Sequence, residues 1–287
     1  MLCNNIISGA QNMLPRIVLI FFFLVPTLKA QELPKASTSD PKAPYVEREE
    51  KQFNFYPGGK IAISVEVPGS LKIVGWKKGS VRMEAENIVY YDTEEKAKEL
   101  LKKSPIRVRH TQTSVTISTS KPTVPDEVME MNLTVFVPGD RTDIKAALYR
   151  GDCSVESVNG WVEISILDGS LDAKDMSGYF SGDTQRGDLI VEMSGIRWRG
   201  YEFAAKTQMG SIQLRLPSKY SAALQLETRN GEISVDYPPQ EVDGEVVPPE
   251  IIINKTAQSL KATIGDGGTA IKLATNSGDI SLLEIKE

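Results

Sequence analysis

A glycine returns every nine residues through the middle of this chain: Gly151, Gly160, Gly169, Gly178 and Gly187. Such regularity is the mark of a structural repeat. Glycine takes up positive φ without steric penalty, so evenly spaced glycines mark corners that a repeating backbone must turn. Four later turns share the form Thr-x-x-Gly followed by a polar residue and then Ile or Leu: Thr184 to Gly187, Thr207 to Gly210, Thr228 to Gly231 and Thr275 to Gly278. Their glycines are 23, 21 and 47 residues apart, the last interval close to two units with a Pro-rich excursion from Pro238 to Pro249. A unit of roughly 18 to 23 residues, holding two short strands and two turns, fits one coil of a stacked solenoid.

The segments between the turns carry the period of a β-strand. Apolar side chains alternate with polar ones at Ile61, Ile63, Val65 and Val67, at Val81, Met83 and Ala85, and at Leu133, Val135 and Val137. The same period governs Val162, Ile164 and Ile166; Leu189, Val191 and Met193; Ile212, Leu214 and Leu216; Ile271 and Leu273; Ile280 and Leu282. Each strand therefore has one dry and one wet face. A single stretch departs from this, Asp92 to Ser104, where Asp92 and Glu95 have capping-box spacing and Ala97, Leu100 and Leu101 form a helical stripe ended by Pro105. The pattern predicts an all-β chain built as an elongated, β-helix-like solenoid with one short inserted helix, in which neighbouring coils supply one another's hydrophobic interior.

Residues 1–30 read as a signal peptide. Arg16 precedes the apolar run Ile17 to Val25, and Pro26 to Ala30 supply a small-residue cleavage site. The run is about half the 18 residues that a membrane anchor needs, and Met13 offers a second start that would give a more regular signal. Residues 31–50, with Pro34, Pro41 and Pro44 and no apolar period, read as a flexible linker, and residues 51–287 as the β-repeat domain. Without residues 1–30 the chain keeps 31 basic side chains against 38 acidic ones, a net charge of −7, which disfavours nucleic acid as a partner. Cys153 is then the only cysteine, so no internal disulfide forms, and a buried small hydrophobe is its expected role.

Gly69 to Trp76, Val81 to Ala85, the helical insert, Val115 to Ser118, Leu133 to Pro138 and the repeated turns through Asn276 to Ile280 together resemble the bacterial putative-adhesin family of β-strand repeat proteins. The family turn is Ser-Gly-Asp-Ile. Here Asp follows Gly187 and Gly278, but Ser211 and Glu232 stand at the other turns, which favours a structural role for the turn over a ligand site. The resemblance implies an exported domain, periplasmic or on the cell surface, and carries no catalytic residues.

Chemistry is sparse along the chain. Asp beside Gly at Gly151, Gly182, Gly187, Gly267 and Gly278 raises calcium binding of the β-roll kind, but each repeat offers at most one acid where that motif needs several. A polysaccharide lyase or hydrolase would need facing carboxylates, for which Asp172, Asp175 and Asp183 are the candidates. His110, the lone histidine, has no partners for a triad or a zinc site. Sequons at Asn132 and Asn254 receive no role. Arg197, Trp198, Arg199, Tyr201 and Phe203 crowd aromatics and arginines into one segment and are the candidate contact for a protein or glycan of the cell envelope, set against the plainer reading that the aromatics pack the stack. Trp161, Tyr179 and Phe180 are read in the same way, with packing favoured. The chain is thus expected to be a non-catalytic binding, adhesion or scaffolding module without a cofactor, with a carbohydrate-active enzyme and an envelope sensory domain as the competing classes.

Overall fold

The computed structural model describes residues 44–237, 240–242, 245–247, 251–253 and 258–286. The chain begins with β1 (Tyr45–Asn54), β2 (Lys60–Val65), β3 (Gly69–Trp76) and β4 (Ser80–Val89), then α1 (Glu94–Lys103), β5 (Arg107–His110) and β6 (Ser114–Ser118). A 3-10 turn at Asp126–Val128 leads into β7 (Met129–Pro138). The repeats follow as β8 (Asp143–Arg150), β9 (Cys153–Glu156), β10 (Asn159–Asp168), β11 (Leu171–Lys174), β12 (Ser177–Arg186), β13 (Leu189–Glu192), β14 (Gly200–Met209), β15 (Ile212–Pro217), β16 (Ala222–Asn230) and β17 (Ile233–Asp236). The last part holds β18 (Gln240–Val242), β19 (Glu245–Val247), β20 (Ile251–Ile253), β21 (Gln258–Ile264), β22 (Ala270–Ser277) and β23 (Ile280–Ile285).

These strands form a 10-stranded sheet, in the order β1-β4-β7-β3-β9-β11-β13-β15-β23-β17, and an 11-stranded sheet, in the order β20-β21-β16-β22-β14-β12-β10-β8-β2-β6-β5. The inward positions of both meet in one core. From the first sheet come Leu71, Ile73, Leu171, Leu189 and Leu214, and from the second Ile61, Ile63, Val162, Phe180, Phe203 and Leu273. Every apolar position singled out by the two-residue period from Ile61 to Leu282 is buried. Removing such area from water stabilises by about 25 cal/mol per Å², and no pair of strands could cover its own apolar face alone.

Among the described residues all-β structure with one inserted α-helix is present, but the solenoid expectation is corrected: they form no closed coil, and both sheets are mixed. Antiparallel pairing takes over at the ends, where β1 joins β4, β4 joins β7, β5 joins β6, and β21 lies between β16 and β20. The strand order also departs from the chain order. β22 lies between β14 and β16, and β23 between β15 and β17, so the last unit is inserted between two earlier ones. The regular run with parallel neighbours one coil apart is confined to the middle of the chain, where β10 and β11 match β12 and β13 at an offset of 18 residues.

The glycines do line up in rows. A methyl group added to Gly187 would sit 2.1 Å from the carbonyl oxygen of Gly169, and one added to Gly169 would sit 1.9 Å from that of Gly151. The contact continues through Gly69, Gly151, Gly169, Gly187, Gly210, Gly278 and Gly231, each against its neighbour, while Gly160, Gly178 and Gly200 form a second row. The nine-residue interval is thus half of the 18-residue repeat, alternating between two corners. The threonines of Thr-x-x-Gly serve the same row. Thr184, Thr207, Thr275 and Thr228 donate their hydroxyls to the carbonyls of Gly169, Gly187, Gly210 and Gly278 at 2.8–3.0 Å.

The helix follows its stripe, burying Ala97, Leu100 and Leu101 in a second core cluster with Val67, Val89, Met129 and Met131. Its cap is Thr93, whose hydroxyl accepts from Lys96 N, and not Asp92. The segment 31–50 read as a linker ends sooner than expected, because β1 already starts at Tyr45. This strand was hidden because it lies at a sheet edge and buries little. Its backbone ladder to β4 and the Arg48–Glu86 pair hold it instead. Residues 1–30, and Asn254, lie outside the described residues.

Candidate functional site

Residues immediately after the row glycines use their polar groups on the backbone. Asp152, Asp188 and Asp279 accept from the amides of Ser170, Ser211 and Glu232 at 2.7–2.9 Å, and Ser170 Oγ accepts from Asp188 N at 3.2 Å. A carboxylate or hydroxyl from one rung thus caps the next, which explains why Asp and Ser interchange there. The carboxylates considered for catalysis are separated by the fold. Asp172 stands on the outer side of β11 in the 10-stranded sheet, Asp183 is on β12 in the 11-stranded sheet and pairs with Lys206 at 2.9 Å, and Asp175 lies in the turn between them, accepting from Ser157 and Ser194. Asp172 is held above the usual aspartate range by desolvation, with Glu192 adding to it. His110 lies on edge strand β5 with its ring 4.5 Å from Phe53. Among the described residues no three His, Cys, Asp or Glu side chains are placed to share a metal ion.

The aromatic segment Arg197 to Phe203 divides. Trp198 is 5% exposed and Phe203 1%, packed edge to face at 5.1 Å inside the core, so these two are removed from the contact set. Strand parity decides Phe203: it shares the inward positions with Ala205 and Thr207. The Trp198 indole N–H finds no acceptor among the described residues. Arg197, Arg199 and Tyr201 are exposed, Tyr201 at 86%. It is the extra residue of a β-bulge, since Gly178 faces Gly200 while Tyr179 faces Glu202.

Two aromatics expected to pack are outside. Trp161 on β10 is 46% exposed and stacks on its parallel neighbour Tyr179 of β12, with ring centres 3.9 Å apart and planes 17° from parallel. Only Phe180 is in the core. The signal was present in the parity: Trp161 falls in step with Glu163 and Ser165, and Tyr179 with Ser181 and Asp183, opposite to the buried Val162 and Phe180. The indole N–H of Trp161 donates to Glu163 Oε1 at 2.9 Å. That bond and then the Lys145 ammonium hold the Glu163 carboxyl below the usual range.

A groove of about 550 Å³ runs along the outer side of the same sheet, starting at Ser181, two residues along β12 from Tyr179, with Ala204 and Ala274 as further small residues and Lys206, Gln225 and Lys272 among its polar ones. Three ion pairs lie on this face, Lys145 with Glu163, Lys206 with Asp183, and Lys272 with Glu202, and Lys261 and Glu227 add one charge of each sign to the groove. A larger recess of about 730 Å³ opens at the strand ends, lined by Trp76, Lys77, Lys78, Asp140 and Arg199. Trp76 is covered there, with Lys78 and Arg82 over its ring and its N–H on Ser80 O.

No family model and no curated protein matches the chain. Solved structures do. One named a putative cell adhesion protein, from Clostridium sporogenes, is 13% identical with a TM-score of 0.40, covering 83% of this chain and 100% of its own. A putative adhesin from Bacteroides fragilis is 12% identical with a TM-score of 0.33, covering 83% and 97%. A putative lipid binding protein from Parabacteroides distasonis is 11% identical with a TM-score of 0.23, again covering 83% and 97%. The resemblance to the putative-adhesin proteins stands. No described helix is long and apolar enough to cross a membrane.

Proposed function

We propose that this chain is a non-catalytic binding module, exported to the periplasm or the cell surface, and that it binds through the outer face of the 11-stranded sheet. The observation that carries this is the Trp161 and Tyr179 stack, presented to solvent on that face beside a groove, with Tyr201 exposed from the neighbouring strand. Large exposed aromatics on an otherwise alternating strand cost solvation and supply stiff contact area. The separation of Asp172 from Asp183 onto different sheets supports binding over hydrolysis, because glycosidic cleavage needs two carboxyls flanking one bond. Export rests on the apolar run at Ile17 to Val25, and the names of the similar structures favour adhesion.

The test has two arms. Incubating the protein with a panel of polysaccharides should release no reducing ends and no unsaturated products, and turnover would overturn the module reading. Retention of the protein on immobilised envelope extract should drop in a Trp161→Ala, Tyr201→Ala double variant that keeps its unfolding temperature. Equal retention of both proteins would remove this face from the function.

A further inference from the structure

The reading of this face as a binding surface can be taken to a ligand class. Resting on that reading, we infer that the ligand is an uncharged glycan, with the C–H face of a sugar ring laid on the Trp161 and Tyr179 stack and neighbouring sugar hydroxyls in the groove. The indole is fixed by its hydrogen bond to Glu163 and covered on one side by Tyr179, so its other broad face is set before any ligand arrives. A preorganised ring loses little freedom on binding. The apolar contact on this face is small, the Trp161 and Tyr179 stack with Tyr201 on the next strand, set among Glu163, Ser165, Ser181, Asp183 and Glu202. A protein partner would need a contiguous apolar centre within an interface of about 1,200–2,000 Å², which this mosaic does not provide.

Charge points the same way. Lys145, Lys206 and Lys272 are matched by Glu163, Asp183 and Glu202, and Lys261 is balanced by Glu227 within the groove, so an acidic polymer meets no surplus of cations. Carboxylates, ammonium groups and the Gln225 amide stand side by side, and a sugar hydroxyl both donates and accepts, so it can use each of them. Size selects a chain over a single ring. The groove crosses from Ser181 on β12 over β14, β22 and β16 to Ser259 on β21. Four inter-strand steps of about 4.8 Å give roughly 19 Å, which is longer than one sugar. Its low walls at Ala204 and Ala274 leave room for the chain to lie across the strands.

The full chain is run through native gels containing a neutral β-glucan, mannan or galactan, and through gels containing polygalacturonate or dextran sulfate, with tryptophan emission followed in solution titrations. At least one neutral polymer should retard the protein and shift its emission. Trp161→Ala, and separately Ala204→Trp to fill the groove, should each weaken that binding by about ten-fold or more at unchanged unfolding temperature. Arg215→Ala, on the other sheet, should leave it alone. Retardation by the acidic polymers only, or neutral binding that survives both variants, overturns the inference. If no glycan binds, the inference also fails. Loss of envelope-extract retention in the Trp161→Ala, Tyr201→Ala variant would then keep the binding face and reject only the sugar, whereas undiminished retention would reject both.

Discussion

At the scale of single residues, the fold is held most tightly where there is no side chain at all. Gly187 has φ +140° and its missing Cβ would fall 2.1 Å from a backbone oxygen, whereas Gly195, with φ +71°, has open space around it. Gly195→Ala should cost about 1–2 kcal/mol, the penalty of a left-handed backbone. Gly187→Ala adds an unavoidable backbone clash and should cost more than about 3 kcal/mol; urea unfolding midpoints of the two variants check the difference. Cys153, buried under the row, has its thiol pushed up to about 12 by burial, with Asp152 adding to the shift. It should therefore resist a disulfide reagent at pH 8 in the native protein and react at once in denaturant. Its contribution to stability is intact below the ordinary thiol value of 9.0 and is lost as pH rises toward about 12. Asp172 has the same sign of shift in a carboxyl, so the folded state disfavours its charge. Asp172→Asn should raise the unfolding midpoint at pH 7, and that gain should vanish below the ordinary aspartate range, where the unfolded chain is protonated as well.

At the scale of elements, strands and helix were legible because burial imposes a period. Ile212 and Gln213 are adjacent on β15, yet Ile212 is fully enclosed while Gln213 reaches out to accept from Arg215. Ile212→Asp should cost roughly 4 kcal/mol or more, since it buries an unpaired charge. Gln213→Glu, which keeps an acceptor for Arg215, should change stability by no more than about 0.5 kcal/mol; thermal unfolding separates the two outcomes. The same parity places Trp161 outside, in step with Glu163, against the expectation that it packs. Elements that bury little left little trace. β1 is held by ladder bonds with β4, which no side-chain period records. The binding face was harder still to read, because stacking of Trp161 on Tyr179 depends on an 18-residue register between two strands and on which strands are neighbours.

At the scale of the whole molecule, the rows of glycines were legible and the architecture built from them was not. A fixed interval states that neighbouring units pack glycine to glycine, but it does not state that units stack in chain order. The 47-residue interval between Gly231 and Gly278 was read as two units with an excursion. That length of chain instead carries β21 back antiparallel along β16 and lets β22 and β23 enter between strands already made. Both ends of the 11-stranded sheet and the β1 end of the 10-stranded sheet then turn antiparallel, while β17 closes the other end parallel to β23.

Late insertion of β22 and β23 bears on how the chain matures. Until this segment emerges, β14 and β16 have no common neighbour, and neither do β15 and β17, so the middle of both sheets stays open to misdirected pairing. A chain cut after Ile264 should therefore expose Ile212, Leu214 and Leu224 to a protease that leaves the intact protein untouched. Adding a peptide of residues 265–287 in trans should restore resistance, as a missing keystone restores an arch.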